Sequence, residues 1–373
     1  MKKYKVLNII TGGLINDGIT NAWLTFCNEF KNEEDNIPFE MDFASIGNNN
    51  PAEIEKEFND QGFNTPHLPL RSHNPLIYII KLYTLLKKGK YDILHVNGSS
   101  SLIILELFIG LLAGIKVRIA HSRNTTSFHK TTHTLLKIPL NWIINGRIAC
   151  GKDSGIWLFG KRKYDIIHNG KNLSKFYFIE ERRHEIRKKY GIENKFVIGH
   201  VGRFNSQKNH PFLIDIFERI SNIIPESVLI LIGDGPLESQ VRSLIVEKNL
   251  SEKVIFTGAV DNIPDLLQGV DIMVFPSKYE GLPNVVLEWQ AMGIPSVISD
   301  KITNECAVCD LVKIEKLNDN IDDWVHDILD IYNTYPDRIS KSREGIKALV
   351  DNNFDIYSCA NKLVETYNLL LTR

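Results

Sequence analysis

Residues 196–224 read FVIGHVGRFNSQKNHPFLIDIFERISNII and contain one complete strand–loop–helix unit. Residues 196–202 are a short run rich in Val and Ile, which predicts a β-strand. In residues 211–224 apolar side chains recur every three or four positions, which predicts an α-helix with one buried face; they are Leu213, Ile216, Phe217, Ile220 and Ile224. Pro211 suits the first turn of this helix. A strand followed directly by such a helix is the building unit of a parallel sheet covered by helices.

The same alternation of short apolar runs and helical patterns recurs along the chain. The predicted strands are 5–11, 41–47, 92–98, 117–122, 146–150 and 164–168 in the first half, and 196–202, 227–233, 254–259, 271–276 and 295–299 in the second half. The tail from residue 319 has no strand pattern and is predicted to be helical. This alternation favours α/β architecture with parallel sheets covered on both faces.

The pattern restarts near residue 195, after a highly charged stretch at 180–195. We therefore expect two Rossmann-like domains, whose sheets face each other across a cleft formed by the carboxyl ends of the strands. The predicted boundaries are an N-terminal domain over 1–170, a linker over 171–194, a C-terminal domain over 195–350 and a final helix over 351–373 that packs back on the N-terminal domain.

Composition excludes several classes of protein. The 373 residues include 44 Lys and Arg against 45 Asp and Glu, so the net charge of −1 argues against a nucleic-acid partner. Residues 61–179, however, carry 17 Lys and Arg and only four Asp and Glu, which suggests an anionic partner for the first domain. The longest apolar run, 102–115, is short of the roughly 20 residues of a membrane span. With no secretory signal pattern, we expect a cytoplasmic chain.

Three loops that follow predicted strands carry polar or glycine-rich motifs. Residues 11–18 contain Gly12, Gly13 and Gly18, which allow close approach to an anion but equally fit a plain turn. Arg203 and Lys208 flank the start of the helix at 211, where two cations can neutralise a diphosphate. The turn Gly233-Asp234-Gly235-Pro236 offers free amides or simply packs tightly, and the residues leave both possibilities open.

The strongest motif is FPSKYEGLPNVVLEWQAMG at 275–293. Glu280 lies in the loop after a predicted strand, and 281–284 would begin a helix with free backbone amides. Glu288 follows eight residues after Glu280, so both carboxylates can face one site. Carboxylates accept hydrogen bonds from sugar hydroxyls and amides suit phosphate, so this site offers partners for both halves of a sugar nucleotide.

Glu280 and Glu288 form an E-x7-E motif within S-x-x-E-G-L-P-x-x-x-L-E. With Arg203, Lys208 and the turn at 233–236, this motif resembles that of the retaining GT-B glycosyltransferases of family 4, and the resemblance covers nearly the whole chain. The segments IAHSRNT (119–125), IHNG (167–170) and SDKITNE (299–305) are similar to the bacterial capsular and exopolysaccharide branch. One departure is Trp289, where relatives more often have Ala.

The resemblance implies roles in binding a nucleotide-sugar donor. Arg203 and Lys208 would hold its diphosphate, Glu288 its ribose, and Glu280 the hydroxyls of the transferred sugar. Backbone amides would complete the pocket around Gly281, Leu282, Pro283 and Asn284.

Further implied roles concern the N-terminal domain and one turn. Gly13 would let its loop approach the donor phosphate. His121 would be the family's active-site histidine, near the transferred sugar and the acceptor. Asp234, between Gly233 and Gly235, would contact the donor or acceptor or only shape its turn.

The family also implies the reaction. We expect retention of the anomeric configuration and a UDP-sugar donor, with a saccharide or polyprenyl-diphosphate-linked saccharide as acceptor on the N-terminal side. Protein cations would replace a divalent ion, since no Asp-x-Asp follows a strand, and the nucleotide sugar is a substrate, so we expect no metal and no cofactor. The runs 77–90 and 130–147 mix apolar residues with Lys and Arg, which suggests peripheral contact with an anionic inner membrane face.

Alternatives remain open from the sequence. A sugar-nucleotide epimerase would use the same kind of nucleotide site, and a non-catalytic subunit of a polysaccharide assembly complex would keep the fold. An NAD-type oxidoreductase lacks its G-x-G-x-x-G motif here. Cys306 and Cys309 lack partners of the metal-binding type nearby and are predicted to form a packed turn.

Overall fold

Two parallel β-sheets carry the fold in the part of the chain that the computed structural model describes, which is residues 3–15, 17–32, 38–47, 52–127, 130–260, 262–318, 320–334 and 337–373. One sheet belongs to a unit made of Met1–Lys171 and Asn353–Arg373, and the other to a unit made of Asn172–Asn352. The predicted α/β class is confirmed. Asn16, in the first glycine-containing loop, lies outside the described residues.

The first unit is built on a seven-stranded sheet. In chain order its strands are β1 (Tyr4–Ile10), β2 (Phe39–Ile46), β3 (His67–Leu68), β4 (Ile93–Gly98), β5 (Val117–Ser122), β6 (Gly146–Ala149) and β7 (Asp165–Ile166). Its first six helices are α1 (Gly18–Asn32), α2 (Ala52–Asp60), α3 (Pro75–Gly89), α4 (Ile104–Leu112), α5 (Lys130–Ile143) and α6 (Lys152–Phe159). The strands lie in the order β3-β2-β1-β4-β5-β6-β7, so the order reverses between β1 and β4.

Helices cover both faces of this sheet, as the apolar strands require. On one face α1 packs through Trp23 and Phe26 against Phe43 of β2. On the other face α3 and α4 bury side chains such as Tyr78 and Leu107. The strands nevertheless hold several buried polar side chains, which do not follow from a need for a hydrophobic core; among them are Asn8, His95, Asn97 and His121.

The second unit repeats the plan with six strands. They are β8 (Phe196–Val201), β9 (Ser227–Ile232), β10 (Val254–Gly258), β11 (Ile272–Phe275), β12 (Ser296–Ser299) and β13 (Val312–Glu315). Its helices are α7 (Glu180–Tyr190), α8 (His210–Ile223), α9 (Glu238–Glu247), α10 (Ile263–Gln268), α11 (Asn284–Ala291), α12 (Asp322–Asn333) and α13 (Arg338–Asp351). The strand order β10-β9-β8-β11-β12-β13 reverses between β8 and β11, as in doubly wound nucleotide-binding sheets.

Every predicted strand overlaps an observed one, and two observed strands were not predicted. These are β3, which has only two residues, and β13, a half-exposed edge strand whose sequence Val-Lys-Ile-Glu is short and weakly apolar. Both pair in parallel with a neighbour, β3 with β2 and β13 with β12. Tertiary pairing therefore creates strands that local composition does not indicate.

The predicted linker is instead part of the second unit, which begins at Asn172. Helix α7 lies in this segment and packs against α10. Arg187 on α7 donates to the buried Asp271 carboxylate at 3.0 Å, and the other oxygen of Asp271 accepts from the amide of Val197 in β8 at 2.7 Å. The charged helix is therefore anchored to the sheet, which a surface linker would not be.

The last helix, α14 (Ile356–Leu371), belongs to the first unit. The backbone of Lys171 exchanges two hydrogen bonds with the returning chain, donating to Phe354 at 2.8 Å and accepting from Ile356 at 2.9 Å. Asp355 caps the helix by accepting from the amide of Ser358. Helix α14 packs on α1, and its Leu363 and Tyr367 are buried in the same core.

Within the described part of the chain, every helix falls short of the length and hydropathy that crossing a membrane requires.

In the second unit α13 packs closely on α11, and a Cβ at Gly345 would lie 1.9 Å from the carbonyl oxygen of Gln290. Backbone on backbone contact of this kind leaves no flexible atom to move aside.

We predict that Gly345→Ala lowers the free energy of unfolding by about 2–3 kcal/mol, because the added methyl must separate two packed helices. Urea unfolding followed by circular dichroism measures this change. Gly18→Ala is the matched control, since a Cβ there meets nothing within 4 Å. Equal stability of the two variants would contradict the packing described.

Candidate functional site

The residues of the strongest motif lie at the point where the strand order of the second sheet reverses. Strands β8 and β11 are neighbours there, and the loops that leave their carboxyl ends are residues 202–209 and 276–283. Ligands of doubly wound sheets bind at this position. The parallel pairing of two strands far apart in sequence therefore brings Arg203, Lys208 and Glu280 to one edge of the sheet.

Lys208 and Glu280 are joined directly. The Nζ of Lys208 donates to Oε1 of Glu280 at 2.8 Å, and the two side chains are only 15% and 12% exposed. The ammonium also lies 4.4 Å from the centre of the Phe275 ring, which attracts a cation. The aliphatic part of Lys208 crosses Gly202, where a Cβ would come within 2.9 Å of its Cε. Three contacts thus hold one cation at the edge of the sheet.

Backbone and amide contacts tie the two loops together. The side chain of Gln207 donates to the carbonyl of Tyr279 at 2.8 Å, and the amide of Lys278 donates to the carbonyl of Gln207 at 2.8 Å. These bonds hold the two loops together, and so keep Lys208 next to Glu280.

The turn at 233–235 packs against the first of these loops. The amide of Phe204 donates to the carbonyl of Asp234 at 2.7 Å. Gly233 has a φ of 134°, and a Cβ there would lie 2.4 Å from the carbonyl oxygen of Gly202. Gly235 similarly approaches the backbone of Phe204. The two glycines are therefore needed for close packing, and this packing shapes the loop that carries Arg203.

Helix α11 begins at Asn284, directly after the loop that contains Glu280, Gly281, Leu282 and Pro283. Its N-cap residue, Pro283, provides no side-chain cap. Two buried polar atoms nearby have no hydrogen-bond partner in the described residues, the Oδ1 of Asn284 and the Oγ of Ser277. Buried polar atoms are normally paired, so a ligand with its own donors would satisfy them.

Glu288 and Arg203 differ in exposure. Glu288 lies on α11 and is 7% exposed, so its side chain is largely buried. Arg203 is exposed, and its guanidinium makes no ion pair or hydrogen bond within the described residues. Arg203 therefore remains available to a ligand, whereas Lys208 is already positioned by Glu280.

Trp289 and Gln290 support the helix from behind. The buried Trp289 packs edge-on against Phe275 with ring centres 5.3 Å apart. The side-chain oxygen of Gln290 accepts from the amides of Val308 and Cys309, which orders the turn that contains both nearby cysteines. Within the described residues these cysteines are free, and no group of three potential metal-ligating side chains is present.

Two candidate residues belong to the first unit. Gly13 follows β1 and has a φ of 84°, and its amide donates to the carbonyl of Ile10 at 2.9 Å. His121 lies in β5 and is 2% exposed. Its Nδ1 is 2.9 Å from Nε2 of His95, and Nδ1 of His95 is 2.6 Å from the hydroxyl of Tyr367 on α14.

Arg123 lies beside these histidines and is also buried. Its guanidinium donates to Asn97 at 2.9 Å and to Asn169 at 2.5 Å. Burial, with a further contribution from the Arg123 charge, holds the pKa of His95 and of His121 well below the usual range. Both imidazoles are therefore neutral at neutral pH.

Sequence reasoning missed Phe275, Ser277, His95, Arg123 and Tyr367 as members of these clusters. Arg123 follows His121 by two residues, and Ser277 precedes Glu280 by three. Both lie inside the motifs quoted above, so the sequence did contain a signal for their role. His95 lies in a predicted strand, where a buried imidazole among Ile93, Leu94 and Val96 was also visible. Tyr367 gave no signal, because its contact joins positions 272 residues apart.

The architecture defines the class of the protein. HepE of Anabaena, solved in complex with UDP, superposes with a TM-score of 0.80 at 17% identity, over 99% of this chain and 100% of HepE. A second HepE structure, in complex with UDP-glucose, gives a TM-score of 0.78 at 16% identity, over 98% of this chain and 99% of HepE. The fold is that of the GT-B glycosyltransferases, as the sequence predicted.

Sequence comparison then identifies the family. Residues 182–347 match the family model for glycosyl transferases group 1. EpsF of Bacillus subtilis (strain 168), whose name assigns it to the glycosyltransferases, is 31% identical over 309 residues, which are 79% of this chain and 80% of EpsF. The UDP-Gal:alpha-D-GlcNAc-diphosphoundecaprenol alpha-1,3-galactosyltransferase of Escherichia coli is 29% identical over 308 residues, 78% of this chain and 76% of that enzyme. The chain belongs to the group 1 glycosyl transferases and is a glycosyltransferase.

Proposed function

We propose that this protein transfers a sugar from a UDP-sugar to a saccharide or lipid-linked saccharide during cell-surface polysaccharide synthesis, with retention of the anomeric configuration. The observation that carries the proposal is the Lys208–Glu280 pair at the strand-order reversal, with the exposed Arg203 in the same loop as Lys208. A cation and a carboxylate held side by side suit a ligand that joins a diphosphate to a hydroxyl-rich sugar.

Donor binding uses the residues of this edge. Arg203 and Lys208 bind the diphosphate, and Glu280 accepts hydrogen bonds from the transferred sugar. The amides from Gly281 to Asn284 add donors at the start of α11, where the helix dipole favours negative charge. Glu288, fixed on the same helix, accepts from the ribose hydroxyls.

In the transfer step the bond between the anomeric carbon and the diphosphate oxygen breaks, and a bond to the acceptor hydroxyl oxygen forms on the same face of the sugar. The acceptor proton passes to the departing diphosphate. Arg203 and Lys208 stabilise the charge that develops there, as donors do in an oxyanion site. Protein cations therefore supply the stabilisation that a divalent metal would supply elsewhere.

Two observations support the proposed acceptor: the name of a relative, and the positive charge of residues 61–179. The E. coli enzyme is named for a UDP-Gal donor and an acceptor on a diphosphoundecaprenol carrier. In this chain, residues 61–179 carry a net charge of +13 by the counts given above, which suits an anionic, lipid-linked acceptor. We therefore propose a polyprenyl-diphosphate-linked saccharide as acceptor. His121 of the first unit would contact the transferred sugar or the acceptor, and Gly13 would let its loop approach the donor phosphate.

The proposal is tested by a thermal-shift panel of UDP, GDP, NAD and UDP-sugars, followed by transfer assays with the UDP-sugar that gives its own shift. A ligand that binds only the folded state raises the unfolding temperature by mass action. We expect a shift with UDP, transfer to a polyprenyl-diphosphate saccharide at an unchanged rate in EDTA, and a product with the donor's anomeric configuration by NMR. Complete loss of activity in EDTA contradicts metal independence, and an isomerised free sugar or nucleotide sugar identifies an epimerase.

Removing one cation or one carboxylate from the donor site should slow transfer strongly. We expect Lys208→Ala and Glu288→Ala each to lower turnover by about a hundredfold or more, because each removes one electrostatic contact, while the fold survives. Steady-state kinetics with the identified donor measure this effect. Lys278→Ala is the matched control, since its side chain is exposed in the adjoining loop. Unchanged kinetics in the first two variants would place the donor site elsewhere.

We further propose that the first unit contacts the inner face of the plasma membrane through the α3–α5 face. This surface is formed by the exposed apolar side chains of three successive helices, α3, α4 and α5, of which α4 packs on both others. The most exposed are Trp142 at 77%, Leu76 at 72% and Leu135 at 71%. Exposed cations on the same helices or the adjoining loops supply the complementary charge for anionic lipid; they are Lys81, Lys87, Lys88, Lys90, Lys116 and Lys130.

We expect the protein to float with vesicles that contain anionic lipid at low salt and to be released at high salt. The triple variant Leu76→Gln, Leu135→Gln, Trp142→Gln should lose most of this binding, because it removes the apolar part of the face. A control variant, Ile223→Gln with Val246→Gln, changes exposed apolar residues of the second unit. Absence of flotation at low salt, or equal binding by both variants, would refute the proposed contact.

A further inference from the structure

A chain of hydrogen bonds crosses the interior of the first unit and ends at His121. It runs from the hydroxyl of Tyr367 to Nδ1 of His95 at 2.6 Å, and from Nε2 of His95 to Nδ1 of His121 at 2.9 Å. The last atom of the chain, Nε2 of His121, is buried and has no hydrogen-bond partner in the described residues. All three side chains are at most 2% exposed.

Aromatic packing holds these rings in place. The His95 ring packs edge-on against Trp23 with centres 5.3 Å apart, and the Tyr367 ring packs edge-on against Phe39 at 5.2 Å. Helix α14 supplies Tyr367, whereas His95 and His121 come from the neighbouring strands β4 and β5. The geometry of the chain is therefore set by the sheet and by two helices packed on it.

Only one placement of hydrogens satisfies the tyrosine. If Nδ1 of His95 donated to the tyrosine oxygen, the buried O–H of Tyr367 would need another acceptor, and the described residues show none. Leaving such a group unpaired costs roughly 1–3 kcal/mol. The opposite placement leaves a hydrogen unpaired only at Nε2 of His121, the end of the chain, where a bound ligand would accept it. Tyr367 therefore donates to Nδ1 of His95, which places the single ring hydrogen of the neutral His95 on Nε2. That hydrogen is donated to Nδ1 of His121, and the hydrogen of the neutral His121 is then on Nε2.

We infer that His95 and Tyr367 are positioning residues that hold His121 as the Nε2–H tautomer, so that His121 donates a hydrogen bond to an oxygen of the bound substrate and does not abstract a proton. This inference rests on the proposed function for the identity of the substrate, a sugar or its acceptor hydroxyl. The tautomer is inferred from the hydrogen-bond chain and does not depend on the identity of the substrate. A donor at this atom pairs the buried N–H that otherwise lacks a partner.

The tautomer is measured directly by long-range proton–nitrogen NMR on the full chain labelled with ¹⁵N-histidine, without substrate. His95→Asn and His121→Asn, each of which removes one set of ring signals, provide the assignments. We expect a protonated Nε2 and an unprotonated Nδ1 for both residues at neutral pH. An unprotonated Nε2 on His121 would overturn the inference, whatever reaction the protein catalyses.

The role of the tyrosine is tested with Tyr367→Phe, which removes only the hydroxyl. We expect His95 and His121 each to become a mixture of both tautomers in the NMR spectrum. We also expect kcat to fall by about tenfold with little change in KM for the donor, by analogy with partners that orient metal-bound histidines. The matched control is Tyr357→Phe on the same helix, whose side chain is 57% exposed; it should keep the native pattern and rate. Native tautomers in Tyr367→Phe would exclude Tyr367 as the determinant.

Two results separate this inference from the proposed function. If NMR shows a protonated Nε2 on His95 and His121 but no UDP-sugar supports transfer, the tautomer is established and the proposed function is wrong. Full transfer activity with the opposite tautomer would leave the function standing and the inference wrong.

Discussion

The parallel pairing of β8 with β11 is the constraint on which the second unit depends. It places the loops that follow these strands next to each other, and so joins Lys208 to Glu280 across 72 residues of sequence. This pair is largely buried, and the cost of removing two charges from water offsets most of its Coulomb energy. Its contribution is therefore better understood as position than as stability. Phe275, at the end of β11, and Gly202, directly after β8, fix the same lysine from two other sides.

Several features around this pair become understandable as support for it. The turn at 233–235 needs two glycines because it packs on the backbone of the loop that contains Arg203. Trp289, an unusual residue at its position by family resemblance, fills the space behind Phe275 and so supports the ring under the Lys208 ammonium. Arg203 receives no such support within the described residues, which leaves it free to adapt to a ligand. One cation is thus held in place, and the other has no ion-pair partner within the described residues.

Much of this arrangement could be predicted from the sequence, for a physical reason. Period-two and period-3.6 patterns locate strands and helices, and the carboxyl ends of parallel strands share one edge, so the loops with Arg203, Lys208 and Glu280 could be placed together. Contacts made by tertiary packing could not be predicted. Phe275 looks like any core residue of a strand, and β13 becomes a strand only by pairing with β12. The charged α7 resembled a linker because its anchor, Asp271, lies more than 80 residues further along.

In the first unit, too, the sequence does not predict the contacts made by tertiary packing, and there these contacts involve buried polar side chains. A sheet that needed only a hydrophobic core would not bury Asn8, His95, Asn97 and His121, because each buried polar group costs free energy unless it is paired. Three of them are paired, in two neighbouring sets of hydrogen bonds: Asn97 accepts from Trp23 and Arg123, and His95 joins Tyr367 to His121. The return of the chain to the first unit as α14 is what supplies Tyr367, so this last helix adds a specific hydrogen-bond donor as well as apolar surface. Natural sequences depart from local rules mainly where function requires it, and this buried polar row is such a departure.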